Sequence, residues 1–115
     1  MIISALISWN YKMYYTYIIE CEDSTLYTGV AKDVLHRMDV HSKKIRQSAK
    51  YTRSHTYKAL LAVWESDSRS SAQKLEYRIK KLTRAQKLSL ISDNSLFEKY
   101  FSDINDIEYI PINIQ

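Results

Sequence analysis

The chain has 115 residues, 45% of them hydrophobic, with 17 Lys+Arg against 13 Asp+Glu and a formal charge of +4. That length suits one domain, which buries roughly two-thirds of its unfolded surface and needs no staple to fold. The lone Cys21 excludes an internal disulfide and a cysteine-built zinc cluster and suits a reducing compartment, and no stretch approaches the ~18 apolar residues of a membrane span.

One Gly and one Pro stand out against average usage of roughly 7% and 5%. Ten Tyr, with abundant Ile, Lys and Ser, point to an AT-rich coding sequence of bacterial or viral origin. In a chain that has shed nearly every glycine, Gly29 is expected where only glycine fits. The charge is uneven. Residues 1–92 carry 16 basic against 8 acidic residues, or +8, and residues 93–115 carry one against five, or −4. Between Asp39 and Glu65 stand six basic residues and no acid. Such a block suits a polyanion, although a solvated lysine face reads the same way.

In chain order, Met1 to Trp9 lack a basic n-region and a cleavage site, so no signal peptide is expected there. Residues 1–12 are read as an N-terminal extension. Tyr14 to Glu20 alternate as a strand, Glu22 to Thr25 form a polar turn, and Leu26 to Thr28 begin a second strand that stops at Gly29. Asp33 is placed to cap a helix reaching about Ser42, with Val34, Met38 and Ile45 on its apolar side. Residues 43–56 read as a basic loop and Tyr57 to Trp64 as a buried third strand. Ser70 with Gln73 forms a capping-box pattern ahead of a helix whose core face is Ala72, Leu75, Ile79 and Leu82. Thr83 with Gln86 repeats the pattern ahead of a helix through Leu88 and Ile91. One more helix is expected over residues 94–101, with an extended end around Pro111. The order implies an α+β domain, a small and largely antiparallel sheet with helices packed on it.

Three groups could carry chemistry. Tyr17 and Tyr27 fall on adjacent strands of one hairpin. Arg37 and His41, four apart, share a helix face. Glu76 is the only acid inside its helix. A cation for a phosphate, a carboxylate for a hard metal ion and a hydroxyl or imidazole for a proton would suffice for phosphodiester hydrolysis. Each group alone is ordinary: strand tyrosines usually pack, and a lone helical Glu usually pairs with surface lysines.

Together the motifs resemble a known family. Tyr15-Thr16-Tyr17 and Leu26-Tyr27-Thr28-Gly29 resemble the paired tripeptides of the GIY-YIG nucleases. Asp33 to Arg37 with His41 resemble that family's helix, and Lys50-Tyr51-Thr52-Arg53 the KYTR run of its short stand-alone branch. Glu76 within Leu75 to Leu82 resembles the branch's metal-binding helix. The likeness spans residues 13–92 and leaves 93–115 as an acidic C-terminal extension. Tyr15 and Thr16 replace the Gly and Ile of the family name. The loop from His41 to Lys50 has lost its glycines, and no residue clearly matches the Asn of longer members, with Asn94 the weak candidate.

The resemblance implies a three-stranded antiparallel sheet flanked by helices and a metal-dependent endonuclease acting on DNA more than RNA, with weak sequence specificity and a repair or recombination role. Glu76 would hold a divalent cation, Mg²⁺ or Mn²⁺. Arg37 would bind the scissile phosphate, and Tyr17 or Tyr27 would activate water, with Tyr17 favoured as the base and Tyr27 as its partner or water-positioner. Arg37, the cation and His41 would either favour the phenolate or relay its proton. Lys43, Lys44, Lys50, Tyr51 and Arg53 would grip nucleic acid. Gly29 would serve the backbone, by a close approach to substrate or a left-handed conformation. A cytoplasmic or nucleoid location, with no membrane partner, goes with this reading. The alternatives are an inactive nucleic-acid-binding module that keeps the fold, and an adaptor whose acidic end docks a basic partner or masks the domain's own basic face.

Overall fold

A computed structural model describes residues 9–43 and 57–114. Strand β1 (Tyr14–Cys21) and strand β2 (Leu26–Ala31) form an antiparallel hairpin. Its turn has no glycine, and Ser24 takes the left-handed conformation instead, at φ 69°. Asp23 Oδ1 accepts from the Thr25 amide at 3.2 Å and the Thr25 hydroxyl at 2.6 Å, a side-chain-closed turn. β2 does not stop at Gly29 but runs two residues further, with Gly29 paired opposite Tyr17.

Helix α1 (Val34–Lys43) follows, and Asp33 Oδ1 accepts from the His36 amide at 3.0 Å, as its capping role requires. Strand β3 (Tyr57–Ser66) lies on the other side of β1. Its register shifts between Ile18 and Ile19, where Ala62 and Leu60 face consecutive β1 residues and Leu61 is extra. That bulge breaks the two-residue alternation, so Leu60 and Val63, three apart, both reach the same core cluster.

Helix α2 (Arg69–Lys80) is capped one turn-start earlier than the Ser70–Gln73 pattern suggests: Ser68, in extended geometry, accepts from the Ser71 amide at 3.0 Å. β3 runs to Ser66 and leaves only a short corner, which favours the nearer serine. The Thr83–Gln86 capping box forms as expected and opens helix α3 (Arg84–Ser92). There Leu90 is the buried residue and Leu88 is exposed. Helix α4 (Leu96–Tyr100) and a 3-10 turn (Ser102–Ile104) precede a two-residue strand β4 (Ile110–Pro111).

The sheet is antiparallel in the order β2-β1-β3-β4. It has four strands rather than the expected three, because Ile110 and Pro111 pair with Glu65 and Trp64. A proline is tolerated there since β4 is an edge.

Alternation along β1 divides the core. Tyr15, Tyr17, Ile19 and Cys21 pack with Val34 and Met38 of α1. Ile18 packs with Trp64, Leu75, Ile79, Leu90, Phe101 and Ile104. The fully buried Thr16 donates its hydroxyl to the Ala72 carbonyl at 2.9 Å, tying β1 to α2. Segment 93–115 therefore enters the second cluster through Phe101 and Ile104 and the sheet through β4. The buried Cys21 has its thiol pushed up by burial, which fits a packing residue rather than a nucleophile.

Candidate active site

Tyr17, Tyr27 and His41 come together on the α1 side of the sheet. In the hairpin register Tyr17 faces Gly29 and Tyr27 faces Ile19, so the two tyrosines form a diagonal cross-strand pair with ring centroids 6.4 Å apart. His41, two turns into α1, puts its ring edge-on to both, at 6.0 Å from Tyr17 and 5.2 Å from Tyr27. The Tyr17 hydroxyl lies 3.0 Å from His41 Nε2. Gly29 makes this possible. A Cβ there would stand 2.5 Å from the Tyr17 hydroxyl oxygen and 2.6 Å from Cζ. Its φ is not positive, so Gly29 serves close packing by a tyrosine and not a left-handed turn.

Burial pushes the Tyr17 phenol well above the ordinary tyrosine range. The Tyr27 phenol and the Glu76 carboxylate push the same way, and the Arg37 guanidinium partly opposes them. Arg37 and Glu76 thus act on this hydroxyl electrostatically, from α1 and from α2. Arg37 is exposed, one helical turn before His41. Glu76 is a quarter exposed, and its Oε2 lies 3.3 Å from Lys80 Nζ. Of the sequence-predicted residues, Tyr17, Tyr27 and His41 are in contact, and Arg37 and Glu76 bear on the Tyr17 phenol through their charges. Lys44, Lys50, Tyr51 and Arg53, with the Lys43 side chain, lie outside the described residues. Asn94 belongs elsewhere: its Oδ1 accepts from the Trp64 indole at 2.8 Å.

Among the described residues no three His, Cys, Asp or Glu side chains cluster as metal ligands. One partly exposed carboxylate does not build a closed structural site. It fits a hard cation that keeps most positions for water and phosphate oxygens, as magnesium does.

The family model of the GIY-YIG catalytic domain matches residues 13–89. The chain belongs to the GIY-YIG family. Similar proteins carry the name UPF0213: one from Fusobacterium nucleatum is 42% identical over 86% of this chain and 94% of its own length. Another, from Halobacterium salinarum, is 46% identical over 68% of this chain and 99% of its own. A UPF0213 protein from Bacillus halodurans, solved by solution NMR, is 38% identical over 70% of this chain and 83% of that one, with a TM-score of 0.44. In this GIY-YIG chain the matched span holds every member of the cluster, from Tyr17 to Glu76.

Sequence reasoning did not anticipate the surroundings of two tyrosines. Lys32 and Arg69 both cover the Tyr14 ring, at 4.9 and 5.3 Å from its centroid, although the three are far apart in sequence. Tyr15 donates its hydroxyl to Glu65 at 2.9 Å, which the cross-strand register alone brings together.

Proposed function

We propose that this chain is a metal-dependent endonuclease that hydrolyses phosphodiester bonds in DNA, with weak sequence specificity and a role in repair or recombination. The observation that carries the reading is the Tyr17–His41 contact at 3.0 Å, with Tyr27 against both rings and the charges of Arg37 and Glu76 felt at the same phenol.

Arg37 binds the scissile phosphate and stabilises the charge that builds on it. Glu76 would hold the divalent cation, Mg²⁺ or Mn²⁺, which would supply Lewis-acid stabilisation of the phosphate. Burial opposes a free Tyr17 phenolate. The base is therefore a relay: Tyr17 takes a proton from the attacking water while giving its own to neutral Nε2 of His41. That requires the His41 tautomer protonated at Nδ1. Tyr27, half-buried beside them, orients the water. Water oxygen bonds to phosphorus, the ester P–O bond breaks, and the leaving alkoxide takes a proton from solvent, to which His41 returns the one it received. The basic residues between 43 and 56 grip flanking phosphates.

A cleavage assay on single-stranded, duplex and branched DNA, and on RNA, with Mg²⁺, Mn²⁺ or EDTA tests this. Metal-dependent cutting that disappears in Glu76→Ala is expected. Salt-sensitive binding without any cutting would instead make the chain a nucleic-acid-binding module.

A further inference from the structure

The outer face of α2 carries a feature that the hydrolytic cluster does not use. Residues 69–92 hold seven Lys+Arg and a single acid, Glu76. Helical spacing puts Lys74, Tyr77 and Lys81 on one stripe, opposite the buried Ala72, Leu75 and Ile79. Tyr77 is 58% exposed, among the most exposed large hydrophobic side chains of the fold. One face of the Tyr77 ring is covered by Lys81, whose Nζ lies 4.5 Å from the centroid.

The cations of the stripe are also uncommitted. Lys80 pairs with Glu76 and Arg78 with Asp103, while Lys74 and Lys81 have no ion pair among the described residues. Glu76 is on the same helix but about 100° round from Tyr77, on the side of Lys80, with which it pairs. An exposed ring with Lys81 over one face and Lys74 one helical turn away has the chemistry of a stacking platform with phosphate contacts beside it. A duplex offers phosphates but no open base faces. An unpaired strand offers both.

We propose that Lys74, Tyr77 and Lys81, on the helix that carries Glu76, bind an unpaired nucleic-acid strand, with a base stacked on the open face of Tyr77 and its flanking phosphates on the two lysines. This rests on the nuclease reading above and narrows its substrate to one with a single-stranded arm.

The test measures binding in EDTA, where cutting plays no part, by fluorescence anisotropy of a labelled oligothymidylate and of a blunt duplex. Tyr77→Ala should weaken oligothymidylate binding about tenfold, within the range for one base–aromatic stack, and leave the duplex unaffected. Tyr77→Phe should restore the parent affinity. Parent-like oligothymidylate binding by Tyr77→Ala, equal losses on both probes, or no oligothymidylate binding by the parent chain would each overturn the proposal. None of these outcomes depends on whether Glu76→Ala abolishes cleavage, so the two readings fail separately.

Discussion

Tyr17 and Gly29 face each other across β1 and β2, and the Tyr17 phenol occupies the space that a Cβ on residue 29 would need. The single glycine of the chain is thus the partner of the tyrosine proposed as the base. Gly29→Ala places a methyl 2.5 Å from the hydroxyl oxygen and 2.6 Å from Cζ, so the ring must move away from His41. A destabilisation of about 1–3 kcal/mol is expected, as for overpacked cores. Cleavage should fall even at temperatures where the variant stays folded. A urea midpoint equal to that of the parent would contradict this packing.

The Tyr17–His41 relay predicts non-additive kinetics. Tyr17→Phe and His41→Gln should each lower kcat by roughly 10²-fold or more. The double variant should be no worse than the poorer single one, because either change already breaks the same proton path. Losses that multiply in the double variant would mean that the two side chains act separately.

How far the sequence reaches depends on whether the decisive contact is local. The hairpin, the Asp33 cap and the Thr83–Gln86 box rest on neighbours within a few residues and were readable. The pairing of Tyr17 and Tyr27 followed from the hairpin, helical spacing and the lone acid singled out Arg37, His41 and Glu76, and the resemblance supplied the roles of all five. The bulge at Leu61 was not readable, because it depends on the β1 partner. Nor was the role of Gly29: close approach by a cross-strand ring and a left-handed turn select the same residue type. β4 escaped notice because two residues next to a proline carry no strand pattern, and only the open edge of β3 recruits them. The cap at Ser68 shows one competition plainly, since two serines two apart both offer a hydroxyl and the end of β3 decides between them.

Glu76 should separate function from stability. Its ion pair in the fold is with Lys80, four residues along an exposed helix face, and such pairs contribute about 0.3–0.5 kcal/mol. Glu76→Ala is expected to unfold within about 0.5 kcal/mol of the parent while losing metal-dependent cleavage and weakening Mn²⁺ binding in calorimetry. A large loss of stability with metal binding retained would assign Glu76 to the scaffold.

Alkali should unfold the protein through its tyrosines. Burial raises the phenols of Tyr15, Tyr17 and Tyr57, and pushes Tyr109 up to about 12 with help from Asp106 and Asp67. The fold favours the protonated form, so this contribution is whole below the ordinary phenol value of about 10 and drains away as pH rises through the folded values. Urea midpoints should be level between about pH 7 and 9 and fall above about 10. Tyr17→Phe and Tyr109→Phe should each make that fall shallower. Midpoints that stay level well into the alkaline range would show that the phenols titrate freely in the folded state.

The acidic C-terminal segment reads in sequence as an extension that docks a basic partner or masks the basic face, and the structure gives it another use. Phe101 is 1% exposed and Ile104 is 7% exposed, both within the cluster of Trp64, Leu75 and Ile79. Tyr109 donates its hydroxyl to the Ser71 carbonyl at 2.7 Å, and β4 covers the edge of β3. Removing residues 93–115 would strip one side of that core and free the Trp64 indole from Asn94. The truncated chain is expected to lose cooperative unfolding. Phe101→Ala alone should cost about 3–5 kcal/mol, the usual range for emptying a buried aromatic site. Urea denaturation followed by tryptophan fluorescence distinguishes the two accounts, because a true tail or mask would leave a truncated domain with the parent's midpoint and, at low salt, tighter nucleic-acid binding.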